Sequence, residues 1–290
     1  MQDELVAAVA RQLGHDFRPA ADRTPVAGGS INSAWCLGDG RTSVFVKTNL
    51  ASVLDMFEAE ADGLRVLEAA GGIRVPHPLA VGTCGDQAYI VMEWVTLQGR
   101  GDWAAMGDGL AIIHRTGAEW YGWHRDNTIG STHQPNSRSA EWADFFARQR
   151  LGFQLELAGK AGAGGTLIDA GQRLREALPA LFSGYEPVPS LLHGDLWSGN
   201  VAFDGSGYPV IYDPAVYYGD RESDLAMTEL FGGFPDAFYR AYESAWPLEP
   251  GYAIRRDLYQ LYHVLNHGNL FGGGYWRQAE TMIRQLLAEV

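Results

Sequence analysis

The sequence predicts an α+β chain in two lobes: a small antiparallel sheet carrying one key helix over residues 1–98, and a larger, mainly helical lobe over 99–290. Three observations predict it. Short apolar runs separated by glycine-bearing turns fill residues 28–95, the pattern of strands joined by hairpins. From residue 103 onward apolar side chains recur at helical spacing in seven successive stretches. Gly99-Arg-Gly-Asp102 breaks the chain between the two patterns and marks the boundary.

The elements follow in order. Gly28-Gly-Ser-Ile-Asn-Ser-Ala-Trp-Cys-Leu37 joins two glycines to an extended run, Gly38-Asp-Gly-Arg41 is a turn, and Thr42–Thr48 reads as the next strand. A glycine-bearing turn between strands lets backbone N–H groups approach triphosphate oxygens with no Cβ in the way, although a plain hairpin shows the same residues. The Gly-Lys-Ser/Thr of a Walker loop is missing, which excludes a P-loop NTPase. Lys47 stands among apolar strand neighbours. Leu54, Phe57, Ala61, Leu64 and Leu67 fall at helical spacing up to the stop at Gly71-Gly72. That helix carries Glu58 and Glu60, two apart and on different sides, and either could pair with Lys47. Pro78–Gly82 and Ala88–Val95, around the turn at Thr83–Asp86, complete the sheet.

Beyond the break, helices are expected at about 103–120, 140–158, 166–183, 222–232, 235–246, 252–270 and 275–289. Trp123 to Ala140 is polar and bears Gly, Pro and Asn, so an ordered loop near the site is expected there. Ala161–Gly165 is a flexible connector, and no internal repeat is present.

The chemistry is concentrated in Ser190-Leu-Leu-His-Gly-Asp-Leu-Trp-Ser-Gly-Asn200 and Val210-Ile-Tyr-Asp-Pro214. His193, Asp195, Leu196 and Asn200 reproduce the register of a protein-kinase catalytic loop, with Gly194 in place of arginine; Asp213 takes the place of the later metal-binding aspartate. A hydroxyl acceptor needs a carboxylate to orient it and take its proton, and Mg²⁺ needs hard oxygen ligands that leave room for phosphate. Asp195 suits the first task, Asn200 and Asp213 the second. Asp and Asn in a glycine-bearing loop often only make turns, but the strand aspartate at the right distance points to phosphoryl transfer.

Composition sets the remaining bounds. The chain has 290 residues, 46% of them hydrophobic, and a net charge of −13, which disfavours nucleic acid and anionic membranes and suits an amine-bearing substrate. No secretory signal or apolar span of membrane length is present, and Cys36 and Cys84 are too few for a disulfide framework, so a cytoplasmic protein is expected. His263 and His267 stand four apart, but Val264 occupies the place where a zinc protease needs glutamate. No Gly-x-Ser-x-Gly elbow supplies a hydrolase nucleophile.

Taken together, the chain resembles the fructosamine (ketosamine) kinase family, within the wider aminoglycoside/choline-kinase-like group, from about Gly28 to Tyr275. Besides the catalytic loop, the resemblance is carried by Gly29-Ser-Ile-Asn32, Met56–Glu60, Asp126–Gly130 with Gln134 and Asn136, Trp142–Leu151, Tyr218–Glu222, Leu230–Phe234 and Leu265-Asn-His267. Trp197, after the catalytic aspartate, separates it from choline and aminoglycoside kinases. The resemblance implies a bilobal protein-kinase-like fold and ATP-dependent phosphorylation, with Mg²⁺, of a ketosamine sugar hydroxyl, usually the 3-hydroxyl. The resulting phosphate sheds its sugar, so the outcome is deglycation.

Roles follow by resemblance. Asp195 is the base. Asn200 and Asp213 hold the metal. Gly28, Gly29, Ser30, Asn32 and Lys47 hold the nucleotide phosphates, with Glu60 favoured over Glu58 as the lysine's partner. Backbone groups of Glu93, Trp94 and Val95 meet the purine edge. Trp197, Asn127, Gln134 and Asn136 are candidates for the sugar pocket, with loop bracing the alternative for the three amides. His193 is counted with them, although bracing of the loop suits it better than a role as base. Asp224 supports the catalytic region from a helix start. Many relatives carry cysteine at the place of Ser30, so redox control through that loop is not expected here. A monomer or weak homodimer is expected. The rivals are a kinase of another small molecule and a nucleotide-binding pseudokinase; Lys47, Asp195, Asn200 and Asp213, whose loss would mark the latter, are all present.

Overall fold

The structure, a computed structural model, describes residues 2–14, 17–19, 23–26 and 31–290. The chain opens with helix α1 (Gln2–Leu13), then β1 (Arg23–Pro25), β2 (Ser33–Gly38) and β3 (Ser43–Leu50). Helix α2 (Leu54–Ala70) follows, then β4 (Pro78–Cys84) and β5 (Gln87–Glu93). The strands form one antiparallel sheet in the order β1-β2-β3-β5-β4. Because side chains alternate across a strand, Val44 and Val46 join Trp35, Leu37 and Val91 in a core closed by Leu5 and Val9 of α1. Phe45 and Lys47 consequently face α2. The expected strands and the α2 helix are all present; α1 and β1 are additions. The apolar spacing Leu5, Val9, Leu13 carried the helical signal for α1.

The larger lobe begins with α3 (Trp103–His114), whose first turn is capped by Asp102 accepting the N–H groups of Ala104 and Ala105, each at 2.9 Å. It ends at His114 rather than near 120, because Thr116 and Gly117 are drawn into pairing with Ser190 and Leu191. The expected loop at 123–140 contains a hairpin, β6 (Asn127–Ile129) and β7 (Thr132–Gln134). The expected helix at 140–158 is three pieces: α4 (Trp142–Phe145), a π-helix (Phe146–Gly152) and α5 (Phe153–Lys160). Helix α6 (Gly165–Leu181) precedes β8 (Ser190–Leu192), β9 (Val201–Phe203), β10 (Pro209–Ile211) and β11 (Tyr217–Gly219). The chain closes with α7 (Glu222–Leu230), α8 (Asp236–Ala245), α9 (Tyr252–Phe271) and α10 (Gly274–Leu286).

Two small ladders place the chemistry. β8 pairs with β11 and β9 with β10, so the segment 193–200 is a loop between ladders and Asp213 leaves the end of β10. Gln98 exchanges backbone hydrogen bonds with Phe203, at 2.7 and 2.9 Å, and so ties the chain between the lobes to the β9–β10 hairpin. Among the described residues no helix is long and apolar enough to cross a membrane.

Candidate active site

Lys47 is only 7% exposed, a position where an unpaired ammonium would be costly. Two carboxylates meet it: Glu60 Oε1 from α2 at 2.6 Å, and Asp213. Burial alone would depress the ammonium, but the charges of Glu60 and Asp213 outweigh it and hold the lysine firmly protonated. Glu58 lies on the outer side of α2, where Arg125 approaches it at 3.5 Å and also pairs with Asp55.

The catalytic loop is held from beneath by α7. Asp224 accepts the N–H groups of His193 and Gly194 at 2.7 and 2.8 Å and a bond from His114 at 3.1 Å. Burial would raise its carboxyl; the His114 contact and the other donors outweigh that and hold it below the usual range. Gly194 has φ +82°, and a Cβ there would stand 2.1 Å from the Ala215 carbonyl oxygen, so the arginine of protein kinases has no room. His193 is fully buried. Its Nδ1 accepts the Asp195 N–H at 3.3 Å and its Nε2 donates to the Tyr212 carbonyl at 3.0 Å, which fixes a neutral ring; burial also lowers its pKa. The expectation that His193 touches substrate is therefore corrected: both ring nitrogens are engaged in bracing the loop.

Asp195 lies above that brace. Asn200 donates its amide to the Asp195 carbonyl at 2.9 Å and to Oδ2 at 3.2 Å. Enclosure first, then the charge of Asp213, push the Asp195 carboxyl up to about 7 against that bond. Asp213 has φ +57°, the one non-glycine in the left-handed region among the described residues, a conformation aspartate tolerates better than most.

These groups meet at one cavity of about 190 Å³, lined by Lys47, Glu60, Asp195, Asn200 and Asp213 with Asn32, Asn127 and Trp197. A larger cavity of about 450 Å³ opens between α7 and α8, beside Glu229, Tyr239 and Tyr242, and touches none of the catalytic groups. The smaller one gathers the residues that the sequence reading expected to act together. Asn32 accepts from Asn49 Nδ2 at 2.8 Å. Gly28, Gly29 and Ser30 lie outside the described residues. At the end of β5, the Glu93 N–H is taken by the His77 carbonyl at 2.9 Å and its side chain pairs with Arg74 at 3.3 Å; Trp94 is partly exposed and Val95 buried.

The three amides behave differently from one another. Asn127 lines the cavity, whereas Gln134 and Asn136, each 1% exposed, stand behind it. Asn127 Oδ1 accepts from both Gln134 Nε2 and Asn136 Nδ2, at 2.9 and 2.8 Å, and its Nδ2 donates to the Val216 carbonyl at 2.8 Å. Of the two readings left open for these amides, loop bracing is the one that fits Gln134 and Asn136, whose polar ends are committed inside the protein. Sequence reasoning passed over His114 and Arg150, which belong to no motif of their own.

Residues for a metal ion are present. Asn200 Nδ2 is committed to Asp195, leaving the amide oxygen free to face a cation, and Lys47 occupies Oδ1 of Asp213, leaving Oδ2. Among the described residues no group of three or more His, Cys, Asp or Glu is arranged around a metal position. Two oxygen ligands with the rest supplied by phosphate and water is the arrangement Mg²⁺ favours.

A model of the family described as fructosamine kinase matches residues 1–289. The chain belongs to the fructosamine kinase family. A probable ketoamine kinase of Synechocystis is 50% identical over 287 residues, covering 98% of this chain and 96% of the relative. A chloroplastic protein-ribulosamine 3-kinase of Oryza sativa subsp. japonica is 46% identical over 266 residues, 90% of this chain and 78% of the relative. A crystal structure of a Haemophilus somnus 129PT protein assigned as a fructosamine-3-kinase superposes with a TM-score of 0.89 at 30% identity, covering 99% of this chain and 98% of that one. The fructosamine kinase assignment and the bilobal fold thus agree with the sequence reading.

Proposed function

We propose that the chain transfers the γ-phosphoryl group of ATP to the 3-hydroxyl of a ketosamine, a fructosamine or ribulosamine adduct of an amine, and so initiates deglycation. The observation that carries this reading is the meeting of Lys47, Asp195, Asn200 and Asp213 at one cavity with Trp197 on its wall. Asp195 orients the acceptor hydroxyl and takes its proton; a carboxyl pushed up to about 7 is a better match to that task near neutrality than an ordinary aspartate. Lys47, fixed by Glu60, neutralises nucleotide phosphate, with Asn32 on the same cavity wall. Asn200 and Asp213 would hold Mg²⁺, which would supply positive charge to offset that of the phosphates. Backbone groups of residues 93–95 receive the purine edge. Trp197 offers the sugar and its amine a flat apolar wall. Positioning and fixed charge supply most of the acceleration, since phosphoryl transfer asks little covalent chemistry of the protein. The free thiols of Cys36 and Cys84 suit a reducing cytoplasm.

The test is ATP- and Mg²⁺-dependent phosphorylation of ribulose-lysine, fructose-lysine, choline and kanamycin, with Asp195→Ala as control. Turnover of the ketosamines alone, lost in the control, is the expected result. Turnover of choline or kanamycin alone would overturn the substrate assignment, and silence across the panel would overturn the kinase.

A further inference from the structure

Arg150 is a fully buried cation with no carboxylate within ion-pair distance among the described residues. Such a group is expensive to desolvate, so its surroundings must compensate or its removal would stabilise the protein. Compensation here comes from neutral groups. Nη1 donates to the Pro135 carbonyl at 2.6 Å and Nη2 to Asn136 Oδ1 at 2.7 Å, while Nε has no partner. The guanidinium lies 3.9 Å from the ring centroid of Tyr217 and 4.7 Å from that of Phe145, so its charge rests on π faces. It is carried by the π-helix Phe146–Gly152, a rare widening that inserts one residue per turn and recurs at functional sites.

The bonds beyond Arg150 lead to the catalytic cavity. Asn136 passes its amide to Asn127 at 2.8 Å, and Asn127 donates in turn to the Val216 carbonyl at 2.8 Å. Gln134 donates to Asn127 and, at 3.1 Å, to the Ala215 carbonyl, and its own oxygen accepts from Tyr262 at 2.7 Å. Ala215 and Val216 are the residues that follow Asp213 and Pro214. Ala215 and Asn127 themselves line the cavity with Asp195. A positive charge at the head of a chain of amides polarises each bond in the same sense, which strengthens the set.

We propose that Arg150 is a positioning residue for the acceptor half of the site. It orients the Asn136–Asn127–Gln134 amides and, through them, fixes the β6–β7 hairpin and the Ala215–Val216 backbone against Asp195. Lysine cannot replace it, because one ammonium cannot fork to Pro135 and Asn136 while lying flat on Tyr217. The inference rests on the reading of this cavity as the phosphoryl-acceptor site. The nucleotide side, built on Lys47 and Glu60, is outside the network.

Arg150→Lys tests it by steady-state kinetics with fructose-lysine or ribulose-lysine. The acceptor KM should rise about tenfold or more, with the KM for ATP within about twofold of the parent. Asn136→Ala, which cuts the same chain one bond later, should reproduce the split, and serves if Arg150→Lys does not fold. A lowered Tm with both KM values unchanged, or both KM values rising together, would overturn the proposal in either variant. Amide hydrogen exchange needs no acceptor: residues 213–218 should exchange at least about tenfold faster in the variant, with β3 and β5 unchanged, and equal exchange there would also overturn it. Failure of the parent chain to turn over any ketosamine would count against the functional reading instead, and the exchange comparison would then decide the role of Arg150.

Discussion

Asn200 donates one side-chain amide to both the main-chain carbonyl and the carboxylate of Asp195, at 2.9 and 3.2 Å. On the proposed mechanism, the residue that leaves an oxygen for the metal therefore also aims the base. The two tasks separate by mutation. Asp195→Ala should lower kcat by about 10²–10⁴-fold, the range expected for removing a general base, while calorimetric ATP affinity stays within about threefold. Asn200→Ala should lower kcat and also raise the Mg²⁺ concentration needed for half-maximal rate. Wild-type-like turnover in Asp195→Ala, or an unchanged Mg²⁺ requirement in Asn200→Ala, would reassign the residue concerned.

Glu60 and Glu58 offer a matched pair on one helix. Glu60 meets Lys47 inside the protein, whereas Glu58 meets Arg125 at the rim. Glu60→Gln should raise the KM for ATP about tenfold or more, since it leaves Lys47 held by the Asp213 charge alone. Glu58→Gln should change it by less than twofold, as exposed pairs contribute little. Equal effects from the two substitutions would mean that the lysine is positioned by Asp213 alone.

Gly194→Ala forces a side chain into φ +82° and within 2.1 Å of the Ala215 carbonyl. Left-handed backbone alone costs about 1–2 kcal/mol, and the displaced carbonyl adds to it, so a loss of roughly 2–4 kcal/mol is expected in urea unfolding. Because Ala215 also donates its N–H to the His193 carbonyl at 2.8 Å, activity should fall more than the folded fraction does. An unchanged unfolding midpoint would show that the loop relaxes around the methyl group.

Much of this site could be read from the sequence because its chemistry imposes spacing. Asp195, Asn200 and Asp213 sit at offsets set by a loop and a strand end, and Lys47 sits in a strand whose alternation assigns its face. For Gln134 and Asn136 the sequence left pocket contact and loop bracing open, since an amide's partner depends on backbone carbonyls that sequence does not place. His114 and Arg150 lay beyond reach for the same reason. The partners of each, Asp224 for His114 and Asn136 for Arg150, come from other segments of the chain. The π-helix within 140–158 was hidden because one inserted residue leaves the apolar periodicity on either side almost intact.

The buried histidines predict a pH dependence. His114, His193 and His263 are all held below the ordinary imidazole value, by burial first in each case, His263 to about 3. A histidine with a depressed folded pKa gains a proton on unfolding below about pH 6.5, so its contribution is complete above that value and is lost as pH falls toward the folded pKa. Asp195 and Asp220, each pushed up to about 7, act in the opposite sense, since the folded state holds their protons between about pH 4 and 7. The absolute slope of stability with pH is therefore a balance, and a difference between proteins isolates one group. His263→Gln removes the titration while keeping a neutral side chain of similar reach. Relative to the parent, the variant's unfolding free energy should fall less steeply on acidification, by about 1.4 kcal/mol per pH unit between pH 6.5 and 4. Urea titrations at half-unit intervals measure it, and parallel curves would place a proton on His263 in the folded protein.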